Sequence, residues 1–257
     1  MEGAELRYSI GSILALACLC LSGCDLGLVP PPATIVLPPE LGVEEHALKA
    51  QPPYDESRSF EPAAGTQEEV LSKHQSEREK HPDWPMSNQV TLGGDKLTAA
   101  ANNAATVQVF RNGAAIYTIS VGDASPISPL RGLWTYDNHW VVEVAHVAQK
   151  WTPWQSEIDF DVAGEVIRDG ASLNQEHGYQ ETFGFQIMNG KPFYFFKKFG
   201  RLGISFDGQE ISLGYAEIPR YGCCSASASN PRSAEKMVSF FAQRNGIWYY
   251  VEVGVFN

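Results

Sequence analysis

The chain has 257 residues, enough for one or two domains, and a net charge of −11. With no strongly basic stretch, that balance argues against a nucleic-acid surface. Aromatic residues make up 11% of the chain, sufficient to furnish a real core.

In chain order, the first feature is an apolar run from Ile10 to Leu21. It is shorter than the roughly 20 apolar residues a spanning helix needs and fits the core of a secretory signal peptide. The run leads into Leu21-Ser22-Gly23-Cys24, a string that resembles the lipobox of bacterial lipoproteins. The resemblance implies a signal peptide over residues 1–23, a diacylglyceryl group on the Cys24 thiol and acylation of the new amino group. Palmitate is the label this predicts. It also implies that the protein sits on the extracytoplasmic face of a bacterial membrane, held by lipid. Two acyl chains suffice for stable anchoring. The segment before the run carries Glu2, Glu5 and a single Arg7, where signal peptides normally have net positive charge. Asp25 resembles the enterobacterial signal for inner-membrane retention. Of the five cysteines, Cys18 and Cys20 leave with the signal peptide and Cys24 takes lipid. Only Cys223 and Cys224 remain, in a compartment that permits disulfides.

Residues 24–105 read as a lipid-anchored, Pro-rich tether. Prolines cluster at Pro30-Pro31-Pro32, Pro38-Pro39 and Pro52-Pro53, with acidic and small polar residues between them. Such a stretch buries too little apolar surface to offset its ordering entropy. One short helix is expected over 66–80, opened by a capping box of Thr66 and Glu69 and ended at His81-Pro82. Its faces are almost all polar, so it reads as solvated, and the tether as packing against little.

Residues 106–257 read as an all-β domain. Three small hairpins turn at Asn112-Gly113, Asp169-Gly170 and Asp207-Gly208. Three aromatic ones turn at Asp137-Asn138, Asn189-Gly190 and Asn245-Gly246. Asn-Gly and Asp-Gly suit type I′ turns, whose central residues both need positive φ. The two kinds alternate, giving a three-fold hairpin repeat with a period of roughly 50–55 residues. The aromatic strands are apolar on both faces, as expected where sheets stack face to face. In Trp248 to Val253 only Glu252 interrupts the run. The string from Phe185 to Gly208 resembles the blade repeat of TolB-type β-propellers, which implies a propeller-like fold. The alternative is a β-trefoil. A small hairpin opens the repeat and an aromatic one closes it, so the two ends are expected to pair with each other.

Several strings invite chemistry. Cys223-Cys224 can form a disulfide or hold a soft metal, and the plainer expectation is a structural pair pinning the loop from Ala216 to Lys236. Trp151 and Trp154 bracket a connection between hairpins and are candidate ligand-binding residues for a sugar ring or a partner protein. Glu157, Asp159 and Asp161 alternate, which reads as the charged face of an edge strand rather than a calcium site. His139, His146 and His177 lack metallopeptidase spacing, and no nucleophile elbow, phosphate loop or dinucleotide fingerprint is present. Val107 to Trp134 resembles the opening strands of L,D-transpeptidases. The resemblance would imply a cell-envelope enzyme with Cys223 as nucleophile. Arg220 stands where that family has serine, and His177 lies too far upstream. The reading is therefore a membrane-anchored lipoprotein with a β-repeat binding or scaffolding domain. It has an envelope protein or glycan as partner, no assigned catalytic residue, and no metal or cofactor. The transpeptidase-like enzyme is the competing function.

Overall fold

The computed structural model describes residues 36–52, 59–80, 88–102, 105–123, 128–150, 159–221 and 230–256. All of them fall within one compact unit, Ala33–Asn257. The signal-peptide run and Cys24 lie outside the described residues.

The fold is all-β, with four four-stranded antiparallel sheets. Sheet I comprises β2 (Gln89–Leu92), β3 (Asp95–Asn102), β4 (Thr106–Arg111) and β5 (Ala114–Ser120). Sheet II comprises β6 (Leu130–Tyr136), β7 (His139–Lys150), β8 (Asp159–Arg168) and β9 (Ala171–Ser172). Sheet III comprises β10 (Glu181–Met188), β11 (Lys191–Lys198), β12 (Arg201–Phe206) and β13 (Gln209–Ser212). In these three the strands lie in chain order. Sheet IV differs: its order is β1 (Gly42–Ala47), β16 (Ile247–Gly254), β15 (Met237–Arg244), β14 (Arg232–Ser233).

All six expected hairpins form. Both central residues have positive φ at Asn112-Gly113, Asp137-Asn138, Asp169-Gly170, Asn189-Gly190, Asp207-Gly208 and Asn245-Gly246, as the primed turns require. The three-fold count, however, is corrected to four sheets. The opening small hairpin β4–β5 is completed by β2–β3, which turn at Gly93-Gly94. The closing aromatic hairpin β15–β16 is completed by β14 on one side and β1 on the other. The expected pairing of the two ends with each other is corrected with this: β4–β5 and β15–β16 lie in different sheets, and their partners β3, β1 and β14 were not among the expected strands.

The expected tether over 24–105 is corrected with it. Residues 42–102 contribute β1, β2, β3 and two short helices, α1 (Gln67–Ser72) and α2 (Gln75–Glu79). Leu48, Phe60 and Val70 from this stretch are buried against Phe241, Trp248 and Tyr250 of sheet IV. The composition misled because β1, Gly-Val-Glu-Glu-His-Ala, needs little apolar surface of its own. Its backbone groups are satisfied by β16, and that pairing leaves no mark in local composition. The capping box is present, with Glu69 N–H donating to Thr66 Oγ1 (3.2 Å) and Thr66 N–H to Glu69 Oε2 (2.7 Å). The single helix expected over 66–80 is broken at Lys73-His74, and it is docked rather than solvated.

Side-chain alternation along the strands builds one apolar seam between each consecutive pair of sheets. Val142, Val144 and Ile167 of sheet II meet Leu97, Val107 and Val109 of sheet I. Val141 and Val166, on the other face, meet Phe185, Tyr194 and Phe196 of sheet III. Phe193, Phe195 and Ile204 meet Val238, Phe240, Val251 and Val253 of sheet IV. Phe183 and Phe185 are two apart in sequence yet serve different seams. A bulge between Phe183 and Gln186, with Gly184 at φ 65°, turns the strand between them.

Candidate functional site

The sequence-derived candidates Cys24, Trp151, Trp154, Cys223 and Cys224 all lie outside the described residues. Residues 151–158 connect β7 to β8, and residues 222–229 lie between Tyr221 and Asn230. The transpeptidase-like string is distributed over two sheets, with β4 and β5 in sheet I and β6 in sheet II. The histidines take structural partners. His139 pairs with Asp169, His146 Nε2 lies 2.6 Å from Glu165, and His177 stacks on Tyr179. Of the acidic row, Asp161 pairs with Lys150 at 2.9 Å.

Two places in the described residues gather polar groups beside apolar ones. The first is a cavity of about 800 Å³ between α1–α2 and the far face of sheet IV, within the ~300–1,000 Å³ of small-molecule sites. Phe60, Phe241 and Tyr250 line it, with Leu71 and Met237, while Glu68, Gln75 and Glu79 stand on its polar side. The three rings brace one another. Phe60 stacks on Tyr250 with centroids 4.6 Å apart and meets Phe241 edge-on at 5.6 Å. Arg78 latches the helical wall to the sheet. Its Nε donates to Glu252 Oε1 (2.7 Å) and lies 3.2 Å from the Tyr250 hydroxyl, and its Nη atoms reach the Leu71 and Val70 carbonyls at the end of α1. Tyr250 O–H donates to Glu252 Oε1 as well (2.9 Å). Burial, and then the Glu252 charge, push the Tyr250 phenol above its usual range. Asn230 pins the cavity's edge by accepting from Phe241 N–H (2.8 Å) and donating to the carbonyls of Phe241 (3.1 Å) and Pro219 (2.6 Å).

The second place is a polar seam between sheets II and III, beside a small cavity of about 100 Å³. The bulge at Gly184 leaves two N–H groups off the strand ladder. Glu143 of β7 accepts from both, Gly184 at 3.1 Å and Phe185 at 2.7 Å, and from the Tyr221 hydroxyl at 3.4 Å. Burial pushes the Glu143 carboxyl above its usual value, against those hydrogen bonds and the nearby Arg131 charge, which lower it. Burial likewise raises the Tyr221 phenol well above its ordinary range. Glu181 pairs with Arg220, whose guanidinium lies 4.1 Å from the Phe183 ring centre, and Glu181 also accepts from Gly164 N–H at 3.0 Å. The seam is a satisfied network whose donors and acceptors are committed to joining sheets. The cavity over sheet IV has space for a guest.

Sequence reading missed this cavity because one wall belongs to the stretch read as tether. The usable signal was Glu252, the lone carboxylate in an apolar strand, which demanded a buried partner. Arg78 is that partner.

What these features define is an all-β protein of four stacked four-stranded sheets, with a helix-walled cavity on the last of them. No helix among the described residues is long and apolar enough to cross a membrane. Comparison with protein-family models and with curated proteins finds no match to this chain.

Proposed function

We propose that this protein is a lipoprotein held by lipid on Cys24 at the extracytoplasmic face of a bacterial membrane, its β-repeat unit serving as a binding or scaffolding module. The observation that carries the binding role is the cavity over sheet IV. Its aromatic floor and polar rim suit a guest with one apolar face, and its volume admits a small ligand or a short peptide segment of an envelope partner. The lipobox resemblance supports the anchor. Trp151 and Trp154 remain candidate contacts for an envelope protein or glycan. For the finer architecture we read the four sheets as propeller-like units, with β1 completing the last sheet by pairing with β16, a device that protects strand edges.

Two experiments test the reading. Expressed in a bacterium, the chain should fractionate with membranes and incorporate labelled palmitate, and Cys24→Ala should abolish both. A soluble, unlabelled wild type overturns the anchor. For the binding role, a photo-crosslinking residue is placed at Gln75 on the cavity rim and, as control, at Thr118 on the exposed face of β5. An adduct formed in intact cells from position 75 and absent from position 118 supports the cavity. No adduct from 75, or equal adducts from both, overturns it.

A further inference from the structure

Glu44 of β1 and Glu252 of β16 stand directly opposite each other in the strand pair. Like charges so placed repel, and here the Glu252 side chain is wholly buried. Each carboxylate already has one cation, Lys73 on Glu44 and Arg78 on Glu252 Oε1. Two facing atoms remain uncommitted. Glu252 Oε2 and His74 Nε2 are both buried without a hydrogen-bond partner. Buried polar atoms in that condition call for an explanation.

His74 sits at the corner between α1 and α2. Its ring stacks on Phe256, centroids 4.1 Å apart, and its Nε2 faces both carboxylates. It lies 3.4 Å from Glu44 Oε1 and 3.8 Å from Glu252 Oε2. Those spacings exceed the ~2.7–2.9 Å of a charge-assisted hydrogen bond. The shorter one matches the spacing of two ligands on one metal ion, and the longer one is within a few tenths of an ångström of it. Bonds of about 2.0–2.2 Å at a tetrahedral angle hold neighbouring ligand atoms about 3.3–3.6 Å apart. One atom from each of the three residues lies within 4.8 Å of the other two.

We propose that Glu44, His74 and Glu252 bind one divalent transition-metal ion in the space between their ligand atoms. One imidazole nitrogen with two carboxylate oxygens suits zinc, whereas magnesium and calcium take all-oxygen shells. A fourth position is left for water, as in open three-ligand zinc sites. The ion resolves the cross-strand repulsion and gives both orphaned atoms a partner. Lys73, whose side chain is 64% exposed, returns to solvent at little cost. The metal fastens the helical corner to the β1–β16 pair and so fixes one wall of the cavity. The site stands whether or not the cavity holds a guest.

The test uses the full chain, stripped with a chelator and dialysed against zinc chloride at about pH 7.5. One retained zinc per chain is expected, with Tm rising by about 5 °C at saturation. Magnesium and calcium should produce no such rise. His74→Gln should weaken binding by about 100-fold or more. Lys73→Ala, a surface change that does not threaten the fold, should strengthen it several-fold by removing the competing ammonium. The Cys223→Ser, Cys224→Ser double variant should still bind one zinc. The proposal is overturned by a wild type that retains no zinc, by undiminished binding in His74→Gln, by weaker binding in Lys73→Ala, or by loss of the metal with the two cysteines.

Discussion

Sheets III and IV carry cores of similar make-up, yet they are assembled differently. Sheet III is one unbroken piece of chain, Glu181 to Ser212, folded back on itself through three tight turns. Sheet IV joins β1 to β16, and Glu45 of β1 receives two hydrogen bonds from Arg244, 199 positions away (3.0 and 2.9 Å). Arg244 also covers the rings of Tyr215 and Tyr249. In sheet III, register is a local matter set by turn chemistry. In sheet IV it depends on ion pairs and helices that arrive from elsewhere. The difference teaches that similar apolar payloads can rest on local or on global connectivity, and the two should fail differently.

The strongest way to break this comparison is to remove β1. Truncation through Ala47 exposes the β16 edge and strips Arg244 and Tyr215 of Glu45. We expect Tm, followed by circular dichroism, to fall by more than about 10 °C or the cooperative transition to vanish. An unchanged melt would restore the tether and sink the shared-sheet account. Next in size is Arg78→Ala. It leaves the buried Glu252 carboxylate without its cation, which should cost about 3–5 kcal/mol in urea unfolding. A loss below about 1 kcal/mol would mean the helices do not latch sheet IV.

Gly164→Ala probes the seam between sheets II and III. A methyl group there meets the Thr182 carbonyl and the Tyr221 hydroxyl, and overpacking of this kind costs about 1–3 kcal/mol. The same denaturation assay should therefore separate it clearly from Gly190→Ala, where a methyl group meets nothing within 4 Å and the residual cost comes from φ alone. The pH dependence of that seam has a definite sign. Because burial raises the folded-state Glu143 carboxyl above 4.5, the folded protein holds that proton more tightly than the unfolded chain. Its contribution is fully present below the unfolded value and is lost as pH rises through the raised one. Wild type minus Glu143→Gln, measured across that window, should isolate the decline, and parallel stability curves would refute it. The smallest effect is Thr66→Ala, which removes one cap from α1 and should cost about 1 kcal/mol. Hydrogen exchange should place that loss in α1 and leave sheet III untouched.

Legibility in the sequence followed the same division. The six hairpins were readable because Asn-Gly or Asp-Gly in five of them, and Asp137-Asn138 in the sixth, state their turns within two residues. The double-faced apolar strands were readable because a short continuous apolar run bounded by turn residues is a local signal. Gly93-Gly94 carried the same kind of turn signal and was passed over because it follows the Pro-rich stretch read as tether. The partners of β1 were not readable at all, since nothing in Gly-Val-Glu-Glu-His-Ala names a strand two hundred residues away. The same holds for the cavity and the Glu44–His74–Glu252 cluster, whose members come from three separated stretches. Thr66 and Glu69 announced a helix start correctly. What that helix covers was decided by Phe241 and Tyr250, far along the chain.

The pairing of β1 with β16 also sets an order of events during synthesis. At about 5–20 residues per second, β1 emerges roughly 10–40 seconds before the strand that completes it. Throughout that interval its hydrogen-bonding edge has no native partner, while sheets II and III can already close. A ribosome that stops before β15 and β16 therefore leaves the β1 edge open, and leaves Phe193, Phe195 and Ile204 of sheet III without the face they pack on. Synthesis of β16 is the event that gives the β1 edge its partner.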